Sequence, residues 1–430
     1  MSWKIPLSDL NYGPEEEAAI VEVVRSGWLS MGAVTQAFEA EFAAFVGAKH
    51  ALAVTNATAA LHLACLACGL GPGDEVILPA LTFVASANAV RYTGAVPVFA
   101  DIESEDWLNI SPTAVEAAIT AHTKAIMVVH YAGYPCDMPT ILAIARRYNL
   151  AVIEDAAHGV GASLDGLALG TWGNIGCYSF FANKNLSTGE GGMLVTDDDS
   201  LAEKARILRS HGMTTLTWDR HHGHASTYDV VDLGYNYRID ELRSALGRVQ
   251  LTKVLAGNRR RVELVDLYRQ QLAERAPHIT VPFTQARGQS SHYIFPVLLP
   301  KGTDKLAVMA KMKSQGIQTS WHYPPVHFFK AYRHPRDSDT MSVNPAKGQT
   351  PSQGMGSSLG GQMVNEFLKH GMKRSTSLGK QDSQQVPTIC RCMDLHLTEA
   401  VAKRELTLPL YPTMTEEQVG WVVEAIASSM

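Results

Sequence analysis

Residues 138–157, "MPTILAIARRYNLAVIEDAA", show the alternation of elements that decides the fold of this chain. Residues 138–149 are predicted as a helix, and "AVIEDAA" at 151–157 is predicted as a strand. The same alternation runs from about residue 15 to residue 250, with the strands "ALAVTN", "DEVILPA", "VPVFADI" and "KAIMVVHYAG" between helices. Because these strands are almost continuously apolar, we predict an α/β fold with a mostly parallel sheet and helices on both faces.

The length of 430 residues exceeds one ordinary core, so we expect a large domain and a smaller companion. We place the large, ligand-binding domain, with an N-terminal arm, at 1–250 and a smaller α/β domain at 251–430. Residues 238–274, predicted as one long helix or two in series, bridge them. Residues 336–394 are rich in Ser, Gly, Gln and Met and have little apolar periodicity. They are predicted to be an inserted, mobile loop.

Charge and hydropathy exclude several classes of partner. The formal net charge is −5, from 37 basic and 42 acidic residues, and the basic residues form no long block. Nucleic acid is therefore not an expected partner, although a few local donors could still bind small anions. The N-terminus lacks the apolar core of a signal peptide. The most apolar long stretch, residues 51–71, contains polar residues that favour a buried helix over a membrane span.

The six cysteines do not form the pattern of a disulfide scaffold, and they favour a reducing cytoplasm as the location. Cys65 and Cys68 form a C-x-x-C, and Cys390 and Cys392 form a C-x-C, so both pairs could be zinc or redox ligands. The first pair lies in an apolar helical pattern and the second in the compositionally biased segment. We therefore predict no metal site.

Polar residues occur where predicted strands end, which is where parallel sheets bind their ligands. Lys184 lies in "FFANKNLSTGEGGM" (180–193), with Ser179 just before it, and Asp155 closes an apolar strand. Thr58, in "NATAA", opens a helix whose amide groups can bind an anion. An amine, a buried carboxylate and a phosphate cradle are the parts that a pyridoxal phosphate (PLP) enzyme needs.

Each of these residues also has a structural interpretation. Lys184 could be a solvated charge on a polar turn, Asp155 could cap the next helix, and "NATAA" could be an ordinary helix start. An ordinary structural role would then explain each motif separately. The order and spacing of the three motifs favour the cofactor site.

The motifs resemble those of one known family. From "GWLSMG" (27–32) to "GYNYRIDEL" (234–242), and again at "WHYPPVH" (321–327) and "LTLPLYPTMTEEQV" (406–419), the chain resembles the sugar aminotransferases of the DegT/DnrJ/EryC1/StrS family. "GPGDEVILPALTFVASANAV", "VIEDAAHGVGA" and "SFFANKNLSTGEGGM" match the family's pattern and spacing. The resemblance implies the aspartate aminotransferase fold (PLP-dependent transferase fold type I), with PLP as cofactor.

The resemblance also implies roles for particular residues. Lys184 would bind the cofactor covalently, Asp155 would contact its pyridinium nitrogen, and Phe83 would stack on its ring. The remaining positions implied for the cofactor are His158 beside the ring hydroxyl, Ala57, Thr58 and Ser179 at the phosphate, and Asn236 reaching the phosphate from the neighbouring subunit of a homodimer. Those implied for the sugar nucleotide are Trp28, His322, Tyr323 and His327.

The implied reaction moves an amino group from an amino acid, usually glutamate in this family, to a keto-sugar linked to a nucleoside diphosphate. Such a reaction belongs to amino-sugar, surface polysaccharide or secondary metabolite biosynthesis. One alternative is a PLP-dependent sugar dehydratase, in which histidine replaces the lysine. A second is a non-catalytic regulatory member of the same fold, which would lose Lys184 or Asp155. A third is an amino acid transferase, which needs an arginine that the sequence cannot locate.

Overall fold

The computed structural model of the chain describes residues 3–215, 227–285, 287–332 and 389–430. Most of the predicted insertion, residues 336–388, lies outside the described residues. The described helices are α1 Pro14–Ser26, α2 Ala33–Val46, α3 Ala57–Ala67, α4 Val84–Tyr92, α5 Pro112–Ala118, α6 Met138–Tyr148, α7 Asp199–Arg209, α8 Glu241–Arg275, α9 Lys305–Ser314, α10 His396–Arg404 and α11 Glu416–Ala427.

The strands alternate with these helices through the first half of the chain. In the described residues they are β1 His50–Val54, β2 Glu75–Pro79, β3 Val96–Ala100, β4 Thr123–Val129, β5 Ala151–Asp155, β6 Ser163–Leu164, β7 Leu167–Ala168, β8 Ile175–Ser179, β9 Gly192–Thr196, β10 Phe295–Leu298, β11 Arg391–Cys392 and β12 Glu405–Leu408.

Within the described ranges, eight strands form one sheet in the order β1-β9-β8-β5-β4-β2-β3-β11. The neighbours from β8 to β11 are parallel, whereas β9 is antiparallel to both β1 and β8. The predicted mostly parallel α/β sheet is therefore confirmed. β6 pairs with β7 and β10 with β12, both antiparallel.

Helices cover both faces of the large sheet, as the alternation along β4 shows. Ala125 and Met127 pack in one core with α3, α4 and α7, whereas Ile126 and Val128 pack in another core with α5 and α6. Successive strand residues point to opposite faces, so a strand buried on both sides has no polar face to display. This explains why the strand sequences are almost continuously apolar.

The local signals around α6 agree with its structure. The side chain of Asp137 accepts a hydrogen bond from Thr140 N and caps the start of α6, and Asn149 ends the helix in the left-handed conformation with φ of 53°. The helix buries Ile141 and Ile144 against the sheet. The chain then turns directly into β5, which ends at Asp155.

The region after α8 builds its own core. The bridging segment is one continuous 35-residue helix, α8, rather than two in series. Its second half packs with β10, β12, α9 and α11, and Ile5 of the N-terminal segment joins the same core. The domain division at residue 250 stays a prediction, and the packing of Ile5 places part of the N-terminal arm with the later residues.

The end of the predicted insertion has a defined place in the structure. Arg391 and Cys392 form β11, which pairs in parallel with Val98 and Phe99 of β3 at the edge of the large sheet. The biased composition of 336–394 hid this two-residue strand. The prediction of a loop extending to residue 394 is therefore wrong for these two residues.

The structure shows where the first cysteine pair lies and how long and apolar the described helices are. Cys65 is buried inside α3, and burial raises the pKa of Cys68 to about 11. No group of three or more His, Cys, Asp or Glu side chains suited to a metal ion occurs within the described ranges. None of the described helices has the length and apolarity needed to cross a membrane.

Candidate active site

A cavity of about 980 Å³ opens at the carboxyl ends of three neighbouring parallel strands. Val129, Asp155 and Ser179, the last residues of β4, β5 and β8, all line it, together with the start of α3. Of the residues implied by the resemblance, those that line this cavity are Ala57, Thr58, Phe83, Asp155, His158, Ser179, Lys184, His322 and Tyr323. The fold thus brings together residues from distant parts of the sequence.

Asp155 is buried at the base of the cavity and its two carboxylate oxygens have different donors. Oδ2 accepts a hydrogen bond of 2.8 Å from Ser86 Oγ, and Oδ1 accepts one of 3.1 Å from Ala157 N. Burial raises the pKa of Asp155, while these hydrogen bonds and the nearby Lys184 act against that rise. Residues 156–162 form turns and no helix, so Asp155 is not a helix cap.

Lys184 projects into the cavity from the loop that joins β8 to β9. Its amide donates a hydrogen bond of 2.9 Å to Phe181 O, and its Nζ lies 3.9 Å from the centroid of the Tyr293 ring. Burial lowers the pKa of Lys184 to about 7, and the negative charge of Asp155 acts in the opposite direction. A large share of this amine is therefore neutral near pH 7, as a nucleophile or proton acceptor must be.

The first turn of α3 forms a cradle suited to an anion. Asn56 caps the helix by accepting a hydrogen bond of 2.9 Å from Ala59 N, and Ala57 and Thr58 occupy the first two helical positions. Backbone amides at these positions have no partner within a helix and point outward. Ser179 lines the same cavity.

Gly192 lets β9 pass close to this helix start. A Cβ atom on Gly192 would lie 2.6 Å from the carbonyl carbon of Asn56 and 2.7 Å from Ala57 N. No side chain other than hydrogen fits in that space. The close approach holds the α3 amides at the edge of the cavity, and the geometry fits a phosphate group.

His158 has a defined tautomer. Its Nδ1 accepts a hydrogen bond of 3.2 Å from Ala132 N, so the proton of the neutral ring is on Nε2, which lies 3.1 Å from Tyr323 Oη. Burial, followed by the positive charge of Lys184, lowers the pKa of His158 well below its ordinary value. His158 is therefore a neutral donor at the cavity wall, and its ring lies 4.2 Å from that of Tyr293.

His322 lines the cavity together with Lys184 and Tyr323, and two residues of strand β12 hold it. Its amide donates a hydrogen bond of 2.9 Å to Glu405 Oε2, and its Nδ1 lies 2.8 Å from Thr407 Oγ1. Tyr131 Oη donates a hydrogen bond to the carbonyl oxygen of His322. Backbone and side chain of His322 are both fixed by these contacts.

Three residues implied by the resemblance do not line the cavity of this single chain. Nε2 of His327 lies 3.1 Å from Glu399 Oε1, in contact with the large sheet rather than with the cavity. Trp28 precedes α2 and also lies outside the lining. Asn236 forms an isolated bridge with Ser210. The roles of Trp28, Asn236 and His327 stay predictions.

Several residues of the site were not identified from the sequence. Ser86 lies three positions after Phe83 in a helical pattern, and Tyr293 lies in "SSHYIFPVLLP" (290–300), whose apolar run predicts a strand. Glu405 and Thr407 occupy a short β-strand. Ser86 and Thr407 lie within the family motifs, but no motif indicates which residue each of the four contacts, because the contacts join segments far apart in sequence.

Known proteins define the class of this molecule. Solved structures that share this fold include PLP-dependent aminotransferases, and the sequence profile of the DegT/DnrJ/EryC1/StrS aminotransferase family matches residues 11–351. The chain therefore belongs to the DegT/DnrJ/EryC1/StrS aminotransferase family, and it is a transaminase.

Individual relatives match over nearly their whole lengths. The spore coat polysaccharide biosynthesis protein SpsC of Bacillus subtilis (strain 168) is 38% identical over 427 residues, which covers 98% of this chain and 96% of SpsC. The aminotransferase TlmJ from Streptoalloteichus hindustanus has a TM-score of 0.80 and 30% identity, covering 99% and 98% of the two chains. A structure of DesI in the presence of its TDP-sugar product has a TM-score of 0.77 and 27% identity, covering 99% and 92%.

Proposed function

We propose that this transaminase uses PLP to move an amino group from an amino acid, with glutamate as the expected donor, to a keto-sugar linked to a nucleoside diphosphate. One observation carries the proposal. An amine with a pKa lowered to about 7, Lys184, and a buried carboxylate, Asp155, share one cavity with the start of α3. Covalent attachment, ring-nitrogen pairing and phosphate binding require these three features together.

The residues present fit the cofactor. Ala57, Thr58 and Ser179 would hold its phosphate, Asp155 would face the ring nitrogen, and the exposed side chain of Phe83 would pack on the ring. His158, a neutral donor, would face the ring hydroxyl. Bound PLP would supply the electron sink that stabilises negative charge at the donor's α-carbon.

The chain's own residues then move the protons. Neutral Lys184 is the base that removes the proton from the α-carbon of the amino donor. In the second half of the reaction its protonated form returns a proton to the sugar carbon that receives the amine. A pKa of about 7 suits both steps, because the base and acid forms are comparably populated near neutral pH.

The sugar nucleotide is proposed from the relatives and from the cavity. DesI was solved with its TDP-sugar product, and SpsC is named for spore coat polysaccharide biosynthesis. The cavity of about 980 Å³ is at the upper end of the volumes that small-molecule sites have, which leaves room for a sugar beside the cofactor. His322 and Tyr323 are the residues of the implied sugar site that line it.

We also propose that the active form is a homodimer with shared sites, in which Asn236 reaches the cofactor phosphate of the neighbouring subunit. Val230, Val231 and Leu233, just before Asn236, are 55%, 56% and 82% exposed. A run of exposed apolar side chains is typical of a protein interface. Tyr235 and Tyr237, on either side of Asn236, line the cavity.

Absorbance spectroscopy tests the cofactor and the lysine together. Protein reconstituted with PLP should be yellow, and its visible band should disappear in Lys184→Ala and bleach when glutamate is added. Lys124→Ala is the matched control, because Lys124 is an exposed lysine of β4 that does not line the cavity. A band that persists in Lys184→Ala contradicts the role of Lys184, and a protein that never binds PLP contradicts the cofactor.

A second assay tests the substrate. Isotope-labelled glutamate is supplied with a panel of keto-sugar nucleotides and, separately, with 2-oxo acids. Transfer of label to a sugar nucleotide supports the proposal. Transfer to 2-oxo acids alone would favour the amino acid transferase alternative, and loss of the sugar hydroxyl without transfer of label would favour the dehydratase. Binding of PLP without any turnover would favour the non-catalytic alternative.

A further inference from the structure

We propose that Thr407 and Glu405 lock His322 in one tautomer, so that its Nε2 accepts a hydrogen bond from a hydroxyl group of the sugar. The inference rests on the proposed function for the identity of the substrate. The tautomer itself depends only on contacts within the chain. Thr407 and Glu405 are thus positioning residues that act through His322.

The direction of each hydrogen bond follows from Glu405. This carboxylate is fully buried, and it accepts hydrogen bonds of 2.9 Å from His322 N and 2.6 Å from Thr407 Oγ1. Burial raises the pKa of Glu405 to about 7, while the hydrogen bonds from Thr407 and His322 and the charge of Lys305 oppose the rise. In its ionised form the carboxylate has no proton to donate and can only accept.

Thr407 has a single hydroxyl proton, which it donates in the hydrogen bond to Oε1 of Glu405. Thr407 Oγ1 must therefore accept, rather than donate, in its contact of 2.8 Å with His322 Nδ1. Burial, followed by the positive charge of Lys184, lowers the pKa of His322 to about 3. The ring is neutral and carries one proton, on Nδ1, which leaves a lone pair on Nε2.

His322 lines the cavity, and Nε2 is the ring nitrogen that Thr407 does not contact. Among the described residues no hydrogen-bond partner is found for it, and it is not one of the fully enclosed polar atoms. Lys184 is close enough for its charge to act on His322, and both residues line the same cavity. A sugar whose keto carbon lies at Lys184 would therefore lie in the same cavity as His322.

Because the tautomer is fixed, Nε2 of His322 can only accept, so it favours a sugar that presents a hydrogen-bond donor to it. A hydroxyl can donate its proton to Nε2, whereas a second keto oxygen or a deoxy carbon leaves the lone pair unmatched. Sites that bind a substrate hydroxyl in this way reject analogues that lack it. We expect a preference of at least about 10-fold in kcat/KM for the hydroxylated sugar over its deoxy analogue.

Nitrogen-15 spectra of histidine-labelled, cofactor-free protein at pH 8 test the tautomer without any assay of activity. His322→Gln assigns the signal of His322 among the 16 histidines. The wild-type protein should show a protonated Nδ1 and an unprotonated Nε2. Thr407→Val, which removes the acceptor with little change of shape, should give a mixture of tautomers, and Thr407→Ser should restore the Nδ1–H form. An Nε2–H tautomer in the wild-type protein would overturn the proposal.

Kinetics of the loaded enzyme test the role in specificity. In Thr407→Val we expect kcat/KM for the hydroxylated sugar nucleotide to fall about 10-fold while the deoxy analogue stays within about 2-fold, so the preference disappears. The half-reaction with the amino donor should be unchanged. Thr398→Val is the matched control, because Thr398 is another buried threonine, and its Oγ1 has no partner among the described residues.

The outcomes separate this inference from the proposed function. Equal kcat/KM values for the two sugars in the wild-type enzyme would overturn the role in specificity, even with the tautomer as expected. An equal loss for both sugars in Thr407→Val would also overturn it, because a general structural defect would have that effect. Turnover of no keto-sugar nucleotide would contradict the proposed function, and the spectra alone would then decide the tautomer.

Discussion

Ser86 Oγ donates a hydrogen bond of 2.8 Å to Oδ2 of Asp155 across 69 positions of sequence. The contact ties α4 to the end of β5, and both residues are buried. It is the largest factor that opposes the effect of burial on the pKa of Asp155. The ionised carboxylate that a cofactor ring would require therefore depends on a serine from another element.

Ser86→Ala should weaken cofactor binding, most strongly at low pH. Without the hydroxyl donor the pKa of Asp155 rises further, because burial then acts with less opposition. The carboxylate is lost at a higher pH, so the acid limb of the profile of PLP affinity against pH should move to higher pH. We expect affinity at pH 6 to fall about 10-fold, measured by equilibrium titration.

Ser244→Ala is the control for that change. Ser244 is also buried and donates a hydrogen bond of 2.8 Å to Asp240 O, and its hydroxyl contacts Thr35 rather than Asp155. This variant should lower the free energy of unfolding without moving the acid limb. An unchanged limb in Ser86→Ala would contradict the role assigned to Ser86.

Lys184→Met should stabilise the cofactor-free protein at pH 7. Burial lowers the pKa of Lys184 to about 7 in the folded chain, whereas an unfolded lysine has a pKa of about 10.4. Between these values the unfolded chain binds more protons, so the free energy of unfolding of the wild-type protein rises with pH. The cost of burying the amine is complete below about pH 7 and disappears above about pH 10.4.

Urea unfolding at pH 7, 8.5 and 10 measures this effect. The difference between Lys184→Met and wild type should be largest at pH 7 and should shrink towards pH 10. Lys124→Met replaces the exposed lysine of β4 and should change the free energy of unfolding by less than about 0.5 kcal/mol at each pH. A difference for Lys184→Met that does not vary with pH would show that its amine is not perturbed.

Gly192→Ala should disrupt the start of α3. The new Cβ would lie 2.6 Å from the carbonyl carbon of Asn56, a backbone atom that cannot move without shifting the first turn. We expect a loss of about 1–3 kcal/mol in the free energy of unfolding and weaker binding of PLP. Gly71→Ala is the control, since no atom lies within 4 Å of its Cβ position. Equal behaviour of the two variants would contradict the tight contact at Gly192.

The parts of the site that the sequence predicted are those governed by local rules. Asp155 was found because it closes an apolar strand, and Thr58 because it opens a helix in a motif with recognisable spacing. Parallel strands then place their carboxyl ends side by side, so Asp155 and Ser179 share the cavity with Lys184. These inferences depend on the order of helices and strands along the chain and not on how their side chains pack.

The missed contacts depend on packing between distant segments. Glu405 reaches His322 across 83 positions, and Tyr293 Oη donates to Asn183 Oδ1 across 110. The spacing of apolar residues does not indicate which residues of a buried strand contact a loop from another part of the chain. For the same reason His327, although in a family motif, packs at Phe99 rather than in the cavity.

Mixing two inactive variants should restore activity if the sites are shared between subunits. Lys184→Ala lacks the amine, and Asn236→Ala lacks the group proposed to reach the neighbouring phosphate. A mixed dimer contains one site with both residues intact, so random exchange should give about one quarter of wild-type activity. Measurement follows unfolding and refolding of an equal mixture. Mixing Lys184→Ala with Asp155→Ala is the control, because each of those residues acts within one subunit, and recovery there would contradict the arrangement.

Replacement of residues 333–388 by a short Gly/Ser linker should leave the rest of the fold intact. Cys390 Sγ donates a hydrogen bond of 3.0 Å to Tyr332 O, so the two ends of this segment lie in contact. Arg91 also holds the second end through a hydrogen bond of 2.8 Å to Ile389 O. A shorter connection between ends already in contact lowers the entropy cost of closure.

Thermal unfolding and PLP titration of the shortened protein check this expectation. The midpoint and the affinity for PLP should equal those of the full chain, because the contacts that bind Asp155 and the start of α3 come from residues before 333. Loss of cooperative unfolding would show that the segment is part of the core. A raised KM for the sugar nucleotide alone, with an unchanged half-reaction for the amino donor, would instead assign the segment to the sugar site.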